Sequence, residues 1–239
     1  MDLPRWVEDH AVEVFVDALP LRLPDEVQKA VEECWTRETR VSPQFFRGPV
    51  LSVQRVEERT GGSRIYAAVT DYAHYLYGRS LPEDDPYQVR VLFAAACLCT
   101  CDHCLIAGVM SAQTSRPGWI QAVGGSADAA DIVGGRFLPV VSARREALEE
   151  VGLDVAEADC RVRGYTQDGA GRVAIAVEMR VPDTADEVVR AFREHARHPL
   201  ADHELEDVVP VPLGPGGLRV LNSRPGRVVR YLKTLVTVL

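Results

Sequence analysis

The sequence contains no apolar run near the roughly 20 residues that a membrane-spanning helix needs. Its opening, MDLPRWVEDH, lacks the basic stretch and apolar core of a secretory leader, so a cytoplasmic location is expected. A basic run is also missing: 35 acids outnumber 27 bases, for a formal net charge of −8. Lysine and arginine carry phosphate-backbone binding, so neither nucleic acid nor membrane is an expected partner. Repeats and low-complexity tracts are absent, which removes solenoids and arrays. Acidity does not exclude a small anionic substrate met through a divalent cation.

What is present is ordinary globular material. The 239 residues are 46% hydrophobic and 26% charged, enough for one large domain or one domain with an addition. Residues 24–38 read as a helix with a proline start and apolar Val27, Ala30, Val31 and Cys34 at helical spacing. Residues 49–58 and 64–72, joined through Gly61-Gly62, read as a β-hairpin, followed by a short helix or turn. The charged, proline-bearing stretch 81–86 suggests a boundary between an N-terminal portion, 1–86, and a second portion, 87–239. Strands are expected at 89–100, 104–110 and 118–124, then a glycine-rich loop from Gly124 to Gly135. A helix over 139–151, strands near 155–166 and 171–181, and helices over 185–198 and 227–239 complete the reading. Alternating strands and helices predict an α/β or α+β sandwich.

Four of the six cysteines crowd into Cys97-Leu98-Cys99-Thr100-Cys101-Asp102-His103-Cys104. Thiolates and a histidine suit zinc. No second ligand pair follows at zinc-ribbon spacing, and the surrounding VRVLFAAACLCTCDHCLIAGVM reads as a buried strand pair. Plain packing of small apolar thiols is therefore the preferred reading.

The most informative segment runs from Arg144 to Leu153. At helical spacing Glu146, Glu149 and Glu150 share one face, while Val140, Ala143, Ala147 and Val151 gather on another that suits a sheet. Clustered carboxylates repel unless a cation compensates, and hard oxygen donors of this kind suit magnesium or manganese. A solvated acidic face is the rival explanation. The ordered string Arg145-Glu146-Ala147-x-Glu149-Glu150-x-Gly152-Leu153 resembles the second half of the Nudix box, with all seven specified positions matched. Pro117 through Gly125 resembles the strand and glycine turn that lead into that box.

The first half of the box departs from the pattern. The family places a glycine fourteen residues before its arginine and a glutamate eight before, positions held here by Asp131 and Phe137. Gly125 lies twenty before Arg145, so the loop carries a six-residue insertion whose only carboxylates are Asp128 and Asp131. An enlarged box loop and the N-terminal portion, with Phe45 through Pro49 and Thr70 through Tyr72, resemble the subgroup of the family that hydrolyses UDP-sugars.

The resemblance implies a Nudix-type α/β/α sandwich with a mixed β-sheet and an N-terminal α+β extension. It implies Mg2+ or Mn2+ held by Glu146, Glu149, Glu150 and the Gly125 carbonyl, with Glu146 as a further ligand or base. Arg145 would orient a neighbouring glutamate, and Glu204, in the late loop Asp202-His203-Glu204, would be an outlying base. Arg116 and Tyr72 are candidate substrate contacts; for Asp71 and Tyr72 a hydrogen-bonded turn with core packing is the stronger reading. The implied activity is hydrolysis of a diphosphate linkage in a nucleotide-type small molecule such as a UDP-sugar, giving a nucleoside monophosphate and a sugar 1-phosphate. A triphosphate pyrophosphatase and a non-catalytic nucleotide-binding sensor are the alternatives, and a homodimer is compatible with either.

Overall fold

The strand predicted inside 89–100 forms at Val91–Cys99 (β5) and becomes the spine of the molecule in a computed structural model that describes residues 3–198, 203–224 and 227–239. Both faces of β5 are covered, which explains its unbroken apolar sequence. Ala94, Ala96 and Leu98 face one core while Ala95 and Cys97 face a second.

The fold is α/β, built on a large mixed sheet. Before β5 come β1 (Arg5–Glu8), β2 (Glu13–Val16), α1 (Asp25–Val41), the hairpin β3 (Pro49–Glu57) and β4 (Arg64–Asp71), and α2 (Tyr72–Gly78). After it come β6 (Cys104–Met110), β7 (Ile120–Ala122), the small hairpin β8 (Ile132–Val133) and β9 (Arg136–Phe137), and α3 (Pro139–Glu146). The chain ends with β10 (Cys160–Gln167), β11 (Val173–Arg180), α4 (Ala185–His195), β12 (Leu205–Pro212), α5 (Pro215–Ser223) and α6 (Arg230–Val238).

The main path runs β1-β10-β11-β5-β3-β4-β2-β9-β8. β11 is parallel to β5 and β2 to β4; the other neighbours on this path are antiparallel. β6 leaves the end of β5 and carries β12 on one edge and β7 on the other. Residues 1–86 and 87–239 are hydrogen-bonded to one another at β1–β10, β3–β5 and β2–β9.

Helices cover both faces. Ala143, Ala147 and Val151 join Val188 and Phe192 of α4 over Ala94, Ala96 and Leu98. Leu232, Leu235 and Val236 of α6 cover Ala95 and Cys97 from the opposite side. The stripe expected on the 139–151 helix is buried, with Val140 partly covered at its start. No helix among the described residues is long and apolar enough to cross a membrane.

Several boundaries differ from the sequence expectations. α1 continues three residues past 38, and α4 stops at His195 before the expected 198. Residues 157–159 form a 3-10 turn where the strand was expected to have begun. β12 was not expected from the sequence; despite Pro210 and Pro212 it forms an outer strand paired with β6. The short β1, β2, β8 and β9 left too little alternation to be read.

Candidate functional site

The site is built where the end of β7 meets the far end of α3. Beyond Ala122 the strand direction continues to Val123, whose carbonyl accepts from Ala96 N at 2.9 Å, and then breaks at Gly124-Gly125. α3 arrives opposite, started by Pro139 and packed through Ala143.

The helix expected over 139–151 does not finish as an α-helix. From Ala147 to Val151 it widens into a π turn, closed by Gly152 in the left-handed region (φ 78°). Inserted π turns concentrate at functional sites because they redirect side chains. Here the redirection falls on Glu149 and Glu150. The last carbonyls of any helix lack partners within it, and that of Glu149 is met by the His195 ring of α4, Nε2 to O at 2.9 Å. A Cβ on Gly152 would come 2.7 Å from that imidazole, so a residue without one is required there.

The three helix acids divide. The Glu150 side chain is buried and its Oε2 accepts from Gly124 N at 3.0 Å. Glu146 is buried against Gly125, so closely that a Cβ there would lie 2.7 Å from Oε1. Glu149 is about half exposed and turns to Arg145, Nη1 to Oε2 at 2.7 Å. Glu150 thus reaches Gly124, Glu146 lies against Gly125, and Glu149 shares the Arg145 guanidinium with Glu146. Among the described residues no three His, Cys, Asp or Glu side chains stand in an arrangement that could hold a metal ion.

Arg145 is the hub. Its guanidinium reaches Asp131 (Nη2 to Oδ2, 2.8 Å), Glu146 Oε1 (3.0 Å), Glu149 and the Ser126 carbonyl (3.1 Å). Burial opposes its charge, but hydrogen bonding to Asp131 and the charges of Glu146 and Asp131 hold it above its ordinary value. Asp131 is fully buried and also accepts from Asp128 N at 2.9 Å, closing a capping box that fixes the loop. Sequence reading left Asp131 as a loop acid without a role; its place six residues after Gly125 was the available signal.

Burial pushes the Glu146 carboxyl up, Arg145 pulls it down, and the charges of Glu204 and Glu149 push it up again, to about 8. Glu204 therefore does stand near the helix acids. It also acts on Tyr72, whose hydroxyl burial pushes up and a hydrogen bond with Ser115 lowers. Arg79 of α2 donates to the Ser115 carbonyl at 3.0 Å, so the N-terminal portion borders the acids through Tyr72 and the 111–118 loop. Asp71 instead caps α2, accepting from His74 N at 2.9 Å and from Arg47 Nε at 2.8 Å. Arg116 lies over the Trp119 ring, 5.0 Å from its centroid. His203 contributes its carbonyl, which accepts from Ser111 Oγ, and Asp202 lies outside the described residues.

The cysteines serve the cores. Cys97 is buried and Cys99 packs beside it in the second core, Cys104 packs on the first, and Cys101 is exposed on the turn. Burial raises the Cys97 thiol well above its ordinary value and the Cys99 thiol to about 12, so neither presents a ready thiolate ligand.

No family model matches the chain, and no curated protein matches it. Among solved structures it is similar to DR0079 from Deinococcus radiodurans, at 18% identity over 65% of this chain and 88% of that one, with a TM-score of 0.43. It is also similar to the E. coli ORF135 protein, at 18% identity over 56% of this chain and 94% of that one, with a TM-score of 0.27. Likenesses this loose carry neither a fold nor an activity to this chain.

Proposed function

We propose that this chain is a cytoplasmic Nudix-type hydrolase that uses Mg2+ or Mn2+ to cleave the diphosphate linkage of a nucleoside diphosphate-linked substrate such as a UDP-sugar. The observation that carries this reading is the meeting of Glu146 and Glu150 at Gly124-Gly125, with Arg145 joining Asp131, Glu146 and Glu149.

The interrupted box supports it further. Asp131 stands six residues after Gly125, the spacing the box keeps between its glycine and its first acid. The surplus then lies between Asp131 and Arg145, and its six residues match the β8–β9 hairpin, Ile132 to Phe137. Asp131 supplies the carboxylate that Phe137 cannot.

The residues fit a hard divalent cation by donor chemistry. Glu146 and Glu149 share the Arg145 guanidinium, which Asp131 also engages. Burial raises the Glu146 carboxyl, the charges of Glu204 and Glu149 add to this against Arg145, and a cation at this point would lower it. With Glu149 turned from Arg145 to join Glu146, Glu150 and the Gly125 carbonyl, the four would hold the cation, which would neutralise the diphosphate and lower the pKa of a water. Arg145 would keep Glu149 in reach and orient Glu146. Once the cation has displaced its proton, Glu146 would take up a proton from the attacking water, with Glu204 as the outlying base. Tyr72 and Arg116 would contact the substrate beyond the scissile linkage.

A second reading, a nucleotide-binding domain without turnover, is favoured by the engagement of Glu149 with Arg145. Incubation with a panel of UDP-sugars and nucleoside triphosphates, with and without magnesium, tests both. The expected products are UMP and a sugar 1-phosphate, formed only with the metal. Faster turnover of triphosphates than of every nucleotide sugar would replace the substrate; binding without products would establish the second reading.

A further inference from the structure

Trp119 stands at the start of β7 in contact with both cores, with part of its ring uncovered. Two guanidiniums lie over it, Arg116 at 5.0 Å and Arg227 at 5.8 Å from the ring centroid. Backbone bonds fix both. Trp119 N donates to Arg116 O at 3.1 Å, and Ile120 N donates to Arg227 O at 2.9 Å. Two chain segments about a hundred residues apart thus deliver one arginine each to the same indole.

Some arginines of this chain are held by carboxylates, Arg47 by Glu32 and Asp71, Arg163 by Glu178, Arg145 by Asp131, and others are not. Neither Arg116 nor Arg227 has a carboxylate partner among the described residues, in a chain with eight more acids than bases. A guanidinium resting on an aromatic face keeps its N–H edges free for a planar or tetrahedral oxyanion.

Their position gives the pair a use. Arg116 follows Ser115, the residue that Tyr72 and Arg79 hold. The loop that carries Arg116 also meets the backbone of Glu204, whose carbonyl accepts from Ser111 N at 2.8 Å. Arg116 of the pair thus sits on a loop that borders the candidate site.

Resting on the proposed activity, we propose that Arg116 and Arg227, presented by Trp119, form a phosphate subsite for the substrate phosphate that is not carried at the helix acids. Anions would bind there without metal, since no carboxylate has to be neutralised first. The indole would report occupancy as the guanidiniums shift over it.

The test is direct binding, with turnover as a second arm. Wild-type protein in EDTA is titrated with UMP and with inorganic diphosphate while tryptophan fluorescence is followed; Trp119→Phe removes the reporter and leaves Trp6 and Trp35. A saturable change is expected that Trp119→Phe lacks and that added salt weakens. Arg116→Gln and Arg227→Gln should each raise the apparent Kd about tenfold, and lysine at either position should restore only part of it. Melting temperatures of the variants confirm that they fold. In turnover with magnesium, the double variant should show a higher KM with little change in kcat. Binding without turnover leaves the subsite standing and removes the hydrolase. Turnover with an unchanged KM in the double variant, or no saturable Trp119-dependent signal, removes the subsite and leaves the hydrolase.

Discussion

Two crowded stretches draw the eye in this sequence, Cys97–Cys104 and Arg145–Glu150, and the fold treats them in opposite ways. Along β5 successive side chains alternate between faces, and the turn that follows reverses the chain. Four thiols close in sequence are therefore shared between two cores and an exposed turn. A helical turn brings the chain back over itself, so Arg145 gathers Glu146 and Glu149 on one guanidinium while Glu150 on the same turn reaches Gly124. Crowding in sequence becomes a site only where the local backbone returns side chains to one place.

Substitutions in the two stretches should separate them widely. Glu150→Gln keeps the shape of a buried side chain but removes its charge, so magnesium-dependent turnover of a nucleotide sugar should fall about 100-fold or more. Steady-state product formation reads this directly, and a rate near wild type would reduce the acid cluster to surface chemistry.

Glu146 offers a sharper probe. Its carboxyl is raised from the usual 4.5 to about 8, so between these values the folded protein holds a proton that the unfolded chain has released. The stability linked to that proton is complete below pH 4.5 and is lost as the pH climbs through 8. In EDTA the wild-type melting temperature should decline across this window more steeply than that of Glu146→Gln, and magnesium should raise it most at the alkaline end. Superimposable curves for the two proteins would sever the link to this residue.

Asp131→Ala strips a buried carboxylate from the Arg145 hub. A loss of about 3 kcal/mol is expected from urea unfolding. Turnover should drop about 10- to 100-fold because the hub orients Glu146 and Glu149. His195→Ala removes one neutral hydrogen bond to the Glu149 carbonyl and should cost about 1 kcal/mol, part of it recovered by His195→Gln. At the other end of the comparison, Cys101→Ser should leave both rate and stability within about 0.5 kcal/mol of wild type. Stoichiometric zinc that disappears with this substitution would reverse the contrast.

The parts legible in the sequence were those with a long period. The β3–β4 hairpin, α1, β5, β6 and the apolar stripe of α3 all carry their pattern over many residues. The acids of α3 were legible for the same reason, but the π turn was not, since nothing in ALEEV marks the widened step. Asp131 and His195 were hidden because their partners lie 14 and 46 residues away, through contacts that leave no spacing rule. β8 and β9, two residues each, pair with one another, and β9 also pairs with the distant β2.

That last contact orders events in time. Val14 pairs with Phe137 and Phe15 with Arg136, joining points separated by more than half of the chain. Loop closure over such a separation is slow, and β2 leaves the ribosome long before its partner exists. The hairpin that β2 steadies immediately follows Asp131, and the Leu138 amide that ends it donates to the Asp131 carbonyl at 2.8 Å. The acidic turn is therefore braced by one of the longest-range pairings in the fold, a kind of contact whose loop-closure cost makes it slow to form.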